Sequence, residues 1–144
     1  GVYVLAATNH PERIDKAVLR TGRIDEMVYI DMPDMEARKS LFALALSKLP
    51  TEGNIDMTHL SELTNGYNCS DISYIVKSAA RKKFNETIKD PDGKKYGITQ
   101  DVLEEIIATR SPSVTARSLR EYERVRSEFS PKDKGLKPVT IGFR

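Results

Sequence analysis

The chain has 144 residues, 39% of them apolar and 31% charged, with a net charge of +2. Such a chain suits one domain, or a small domain with a piece of another, and a disordered protein is excluded. No apolar run approaches the roughly 20 residues a membrane span needs, and the near-neutral charge gives no push towards nucleic acid. The lone Cys69 excludes an internal disulfide framework. Together with the absence of a signal-peptide pattern, it leads us to expect a cytoplasmic setting.

Val2-Tyr3-Val4-Leu5-Ala6-Ala7 is a continuous apolar run rich in β-formers, which predicts a strand buried on both faces of a helix-covered parallel sheet. One strand cannot supply its own sheet, so the chain is expected to be a piece of a larger domain. Thr8-Asn9-His10-Pro11 follows at the strand edge, where α/β sheets place ligands. On local sequence Asn9 is a turn residue or a ligand-edge residue, and both readings stand at this point. Asp15 is placed to cap a short helix over Lys16 to Leu19, which Thr21-Gly22 breaks. Met27 to Met32 reads as a second strand ending at Pro33.

From Asp34 the pattern turns helical. Asp34 is a cap for a helix running to about Leu49, with Leu41, Phe42, Ala45, Leu46 and Leu49 on one face and Pro50 as its stop. A short helix within residues 54–65, closed by Gly66, directs Leu60 and Leu63 inward. Asn68 and Asp71 stand in capping-box relation. The helix they open carries Ile72, Ile75, Val76, Ala79, Ala80, Phe84 and Ile88 at helical spacing. Its polar face holds Lys77, Arg81, Lys82 and Lys83, a solvated basic face near a helix end rather than a nucleic-acid site.

Asp90-Pro91-Asp92-Gly93 has the chemistry of a turn. Thr99 is expected to cap a helix through Thr109, with Val102, Leu103, Ile106 and Ile107 apolar, and Ser111-Pro112-Ser113 is a break. Thr115 is expected to cap a last helix to Phe129, with Leu119, Tyr122, Val125 and Phe129 inward. Residues 130–144, rich in Pro, Gly and Lys, read as a tail. The expected fold class is therefore an α/β remnant over residues 1–33, followed by an all-α bundle over 34–129 and a tail over 130–144.

Chemical motifs are few. Nothing matches the phosphate-cradling pattern G-x-x-x-x-G-K-[ST], and no apolar strand ends in paired acids that would hold magnesium. His10 and His59 are isolated and Cys69 is alone, so the spacing of metal ligands is missing and no metal residue is assigned. What remains is the turn Arg20-Thr21-Gly22-Arg23, two guanidinium groups three residues apart around a glycine. Spacing alone makes it an ordinary solvated turn.

The ordered string says more. Val4-Leu5-Ala6-Ala7-Thr8-Asn9-His10-Pro11, Ile14-Asp15, Leu19-Arg20-Thr21-Gly22-Arg23-Ile24-Asp25, Tyr29-Ile30 and Pro33-Asp34 closely resemble the second region of homology of AAA+ ATPases of the AAA clade. Gly66-Tyr67-Asn68-Cys69-Ser70-Asp71-Ile72 resembles the G-Y-S-G-A-D-I segment that opens a lid helix in that family. Ser113-Val114-Thr115 through Leu119-Arg120-Glu121-Tyr122-Glu123 looks like the closing segment of the valosin-containing-protein type. The resemblance covers about residues 2–129.

It implies that Asn9 is the sensor-1 residue, and that Arg20 and Arg23 are finger arginines reaching the γ-phosphate held by the next subunit of a homo-hexameric ring. A permanently charged, planar guanidinium can donate to two phosphoryl oxygens as charge spreads over them. The resemblance also implies that Gly66, Tyr67, Asn68, Cys69 and Ser70 lie by adenine and ribose, with Cys69-Ser70 standing where the family has Gly-Ala. Ala45 stands where the valosin-containing-protein type has a histidine near adenine. ATP and Mg²⁺ are the implied cofactors of the full-length protein, with the magnesium ligands outside this sequence. Protein substrates and adaptors are the implied partners. Two other readings remain: a non-catalytic helical interaction module, and a nucleic-acid remodelling member of the wider family.

Overall fold

A computed structural model describes residues 1–18, 22–24, 26–90 and 97–129. The chain divides into two compact units, one comprising Gly1–Ile30 and the segment from Ala116, the other Asp31–Thr115.

The second unit is a four-helix bundle of α1 (Met35–Leu46), α2 (Met57–Leu63), α3 (Cys69–Lys89) and α4 (Gln100–Ala108). Each start follows from its local chemistry. The Asp34 carboxylate accepts the Ala37 amide at 2.8 Å, and Asp56 accepts the amides of Thr58 and His59. Asn68 and Asp71 form a reciprocal capping box, each side chain accepting the other's backbone N–H. Gly66 closes the preceding turn at φ +81°, a left-handed conformation that a side chain would strain. Thr99 precedes α4 as expected, but its hydroxyl makes no capping bond.

The apolar faces meet in one core of Phe42, Leu46, Leu60, Tyr67, Ile72, Ile75, Val76, Ala79, Ile98, Val102, Leu103 and Ile107. A parallel bridge between Thr51 and Ile98 ties the segment after α1 to the segment before α4. Gly97 makes that approach possible, since a Cβ there would sit 2.5 Å from the Thr51 carbonyl carbon. Arg38 is buried within α1, yet each of its three guanidinium nitrogens is bonded: Nη1 donates to the Pro33 carbonyl, and Nε and Nη2 to the Ser61 carbonyl.

Three expectations about this bundle need correction. Phe84 and Ile88 are 64% and 66% exposed, and Leu63 also faces outward. At 100° per residue, Phe84 and Ile88 stand about 120° and 160° around α3 from Ile72, so the apparent stripe winds off the core face. α1 ends at Leu46 rather than near Leu49, although Leu49 still packs on the core. The turn read at Asp90 to Gly93 lies largely outside the described residues.

The first unit carries a 3-10 turn at Pro11–Arg13 and α5 (Ala116–Phe129). Asp15 accepts the Ala17 amide at 2.8 Å, so its capping role holds, over a turn at residues 16–18 rather than a helix. α5 buries Val125, and Arg126 stacks over Tyr29 at 5.1 Å from the ring centroid. The helix read over residues 116–129 is present and groups with this unit.

Neither expected strand is seen among the described residues. Residues 2–7 and 27–32 join no ladder among the described residues, and Val2, Tyr3 and Leu5 are 93%, 99% and 99% exposed. An apolar β-prone run has nowhere to hide its faces or spend its backbone N–H and C=O groups without neighbouring strands. The described residues offer none. The tail at 130–144 lies outside the described residues.

Candidate functional site

The most organised polar cluster surrounds the start of α3. Asp71, only 1% exposed, sits at the third position of the helix. Its Oδ2 accepts the Ser113 hydroxyl at 2.9 Å, the Ser113 amide at 3.1 Å and the Asn68 amide at 3.3 Å. Its Oδ1 pairs with Arg110 Nη2 at 3.3 Å. Burial pushes the carboxyl's pKa up, but the donors from Ser113, Asn68 and Arg110 outweigh it and hold the group below its ordinary value.

The neighbouring residues extend the same network. The Asn68 amide group accepts from the Asp71 backbone at 2.8 Å and donates to Ser113 Oγ at 2.9 Å. The Tyr67 hydroxyl donates to the Arg110 carbonyl at 2.6 Å. Burial, and then the nearby Asp71 charge, push that phenol's pKa up. The Arg110 guanidinium lies over the Tyr74 ring at 3.9 Å, and its Nε is buried without a hydrogen-bond partner.

Of the five residues expected to border a nucleotide here, the structure separates two groups. Tyr67 is buried, and the side chains of Tyr67 and Asn68 are committed to the fold. Cys69 and Ser70 are exposed on the first turn of α3, and their amides have no partner among the described residues. A shallow groove of about 400 Å³ begins at them and runs along Ser73, Tyr74 and Lys77. Gly66 meets no atom closer than Pro112, whose Cγ would be 4.0 Å from an added Cβ. An exposed helix N-terminus beside the half-exposed Tyr74, one face of which is covered by Arg110, can take a polar ligand. The side chains that replace Gly-Ala project outward and leave the fold undisturbed. Sequence reasoning missed Arg110 and Ser113, because their link to Asp71 spans 39 and 42 residues and leaves no local periodic trace.

The other expected site residues lie in the first unit. Asn9 is exposed and makes no hydrogen bond among the described residues. Thr8 Oγ1 accepts the His10 amide at 2.9 Å, and His10 Nδ1 lies 3.1 Å from Glu12. Arg23 is exposed, with Nη1 donating to the Ala17 carbonyl at 2.8 Å. That single bond leaves its other donors available. Arg20 lies outside the described residues. No group of three His, Cys, Asp or Glu side chains among the described residues is arranged to hold a metal ion. No helix among them is long and apolar enough to cross a membrane.

Comparison with known proteins now bears on this geometry. The chain is 34% identical over 136 residues to the cell division cycle protein 48 homolog of Archaeoglobus fulgidus, covering 89% of this chain and 19% of that protein. It is 36% identical over 87 residues to a putative cell division cycle ATPase of Plasmodium falciparum, covering 60% of this chain and 7% of that protein. The chain matches the C-terminal portion of an AAA+ ATPase of the valosin-containing-protein type. It spans about a fifth of the length of the archaeal relative. No protein-family model matches the chain. For an AAA+ chain, the four-helix bundle fits a helical lid, and the capped turn at Gly66 to Ser70 stands at the start of its longest helix.

Proposed function

We propose that this chain supplies the lid and the trailing edge of the nucleotide-binding domain of an AAA+ ATPase that turns ATP hydrolysis into remodelling or unfolding of proteins. The observation that carries the proposal is the capped turn of α3. It stands within a chain related to proteins named as cell division cycle ATPases, and it exposes Cys69 and Ser70 beside a shallow groove. In this reading residues 1–33 end the α/β domain, residues 34–129 follow as lid, and the Gly66 to Ser70 turn borders the adenine and ribose of ATP. Asn9 orients the attacking water. Arg20 and Arg23 act on the nucleotide of the next subunit in a homo-hexameric ring, with protein substrates and adaptors as partners.

Bound Mg²⁺ would neutralise phosphate charge, held by ligands that this sequence does not contain. Arg23 reaches a neighbour by releasing its bond to the Ala17 carbonyl, a solvent-exposed contact worth only about 1 kcal/mol net. Arginine fingers contribute about 10³–10⁵ in rate.

The test is ATP turnover by the full-length protein carrying Arg20→Ala or Arg23→Ala. Turnover falling by about 10³-fold or more with nucleotide affinity retained supports the reading. Unchanged turnover overturns it in favour of a non-catalytic interaction module. Residues 1–144 alone are expected not to hydrolyse ATP, because the phosphate loop is not among them.

A further inference from the structure

The turn that opens α3 is bolted, residue by residue, to one distant segment. Gly66 faces Pro112, the Tyr67 hydroxyl holds the Arg110 carbonyl, Asn68 Nδ2 holds Ser113 Oγ, and Asp71 binds both Ser113 and Arg110. Only Cys69 and Ser70 face outward. Residues 110–113 in turn lie just before Thr115, where the bundle ends and the chain continues to α5.

The bonds at the centre of this junction are charge-assisted, and so are stronger and less tolerant of stretching than neutral ones. A shift of the turn by about 1 Å would take a 2.9 Å bond beyond hydrogen-bonding range unless Ser113 moved with it. The junction also contains an unsatisfied donor, the buried Arg110 Nε. Displacement of the segment gives that donor access to water, which offsets part of the cost of moving. A ligand that displaces the turn therefore acts on the far segment as well, in proportion to its preference for the displaced arrangement.

We infer that Asp71 is a positioning residue that couples occupancy of the Gly66 to Ser70 turn to residues 110–113, and so to the connection leading to α5. The inference rests on the reading that an adenine nucleotide lies against this turn. Asp71 does not touch the nucleotide in this arrangement. It transmits the position of the turn to the far segment through Ser113 and Arg110.

Amide hydrogen exchange on the full-length protein, with and without saturating Mg-ADP as the probe, tests this. Wild type is expected to show slowed exchange both at residues 67–72 and at residues 110–115, by at least about 5-fold at the latter. Asp71→Asn and Ser113→Ala are expected to keep the ADP-dependent slowing at 67–72 and lose it at 110–115. Ser113→Thr, which keeps the hydroxyl, is expected to restore it. Should Asp71→Asn not fold, Ser113→Ala decides the matter alone, with the amides of α1 and α2 reporting that the bundle is intact. If ADP leaves residues 67–72 unprotected in wild type, the nucleotide reading falls and the coupling falls with it. If 67–72 is protected in wild type and 110–115 responds equally in Ser113→Ala, or not at all in wild type, the coupling alone is overturned.

Discussion

Asp71 shows how one buried charge is made tolerable. Each carboxylate oxygen has donors, so the cost of burying it is offset by four hydrogen bonds rather than by neutralisation. Because the donors hold its pKa below the unfolded value, its contribution to stability is fully present above the ordinary carboxylate range and is lost as pH falls through the lowered value. Asp71→Asn is therefore expected to lower stability by about 1–3 kcal/mol at pH 7. The gap to wild type should begin to narrow below about pH 4 and close only below the lowered value, as read from urea midpoints at each pH. Arg38 presents the opposite sign of the same problem. Burial pulls its guanidinium pKa down and Asp34 opposes the shift, while three donors occupy the Pro33 and Ser61 carbonyls. Arg38→Met keeps the bulk but leaves the buried Ser61 carbonyl only a long 3.4 Å bond from the Thr64 hydroxyl, so a loss of about 1–3 kcal/mol in denaturant unfolding is expected.

At the scale of an element, α3 separates spacing from burial. Ile75 is fully buried at the centre of the core, whereas Phe84 and Ile88 lie on a face that no described element covers. Ile75→Ala is expected to cost about 2–5 kcal/mol, and Phe84→Ala less than about 0.5 kcal/mol, when the two midpoints are compared in one urea series. The caps could be read in the sequence because a cap is a local event. Asp34 and Asn68 each bond to an amide three residues onward, so type and spacing are enough to announce them, whereas the Asp56 cap of α2 is seen only in the structure. Thr99 occupies an equally good position and makes no such bond.

For the whole molecule, the division near Ile30 and Thr115 makes a thermodynamic statement. Among the described residues, the core of α1, α2, α3 and α4 lies within Asp31–Thr115. Residues 31–115 expressed alone are expected to unfold cooperatively, with a urea midpoint close to that of the same bundle in the longer chain. A broad, non-cooperative transition would show that the bundle depends on segments outside it.

By itself the sequence determined the helix starts, the glycine-closed turn before α3, the identity of most core side chains and the family to which the relatives belong. Those are matters of local hydrogen bonding and of the 3.6-residue period, which act within a few positions. Only the tertiary structure could say whether the runs at 2–7 and 27–32 form strands, and among the described residues they join no ladder, because a strand is completed by partners and not by its own residues. It also decided that α5 groups with residues 1–30 and that Asp71 faces Ser113 and Arg110. A contact across 42 residues is fixed by how helices pack, and side-chain identity carries no mark of the distance.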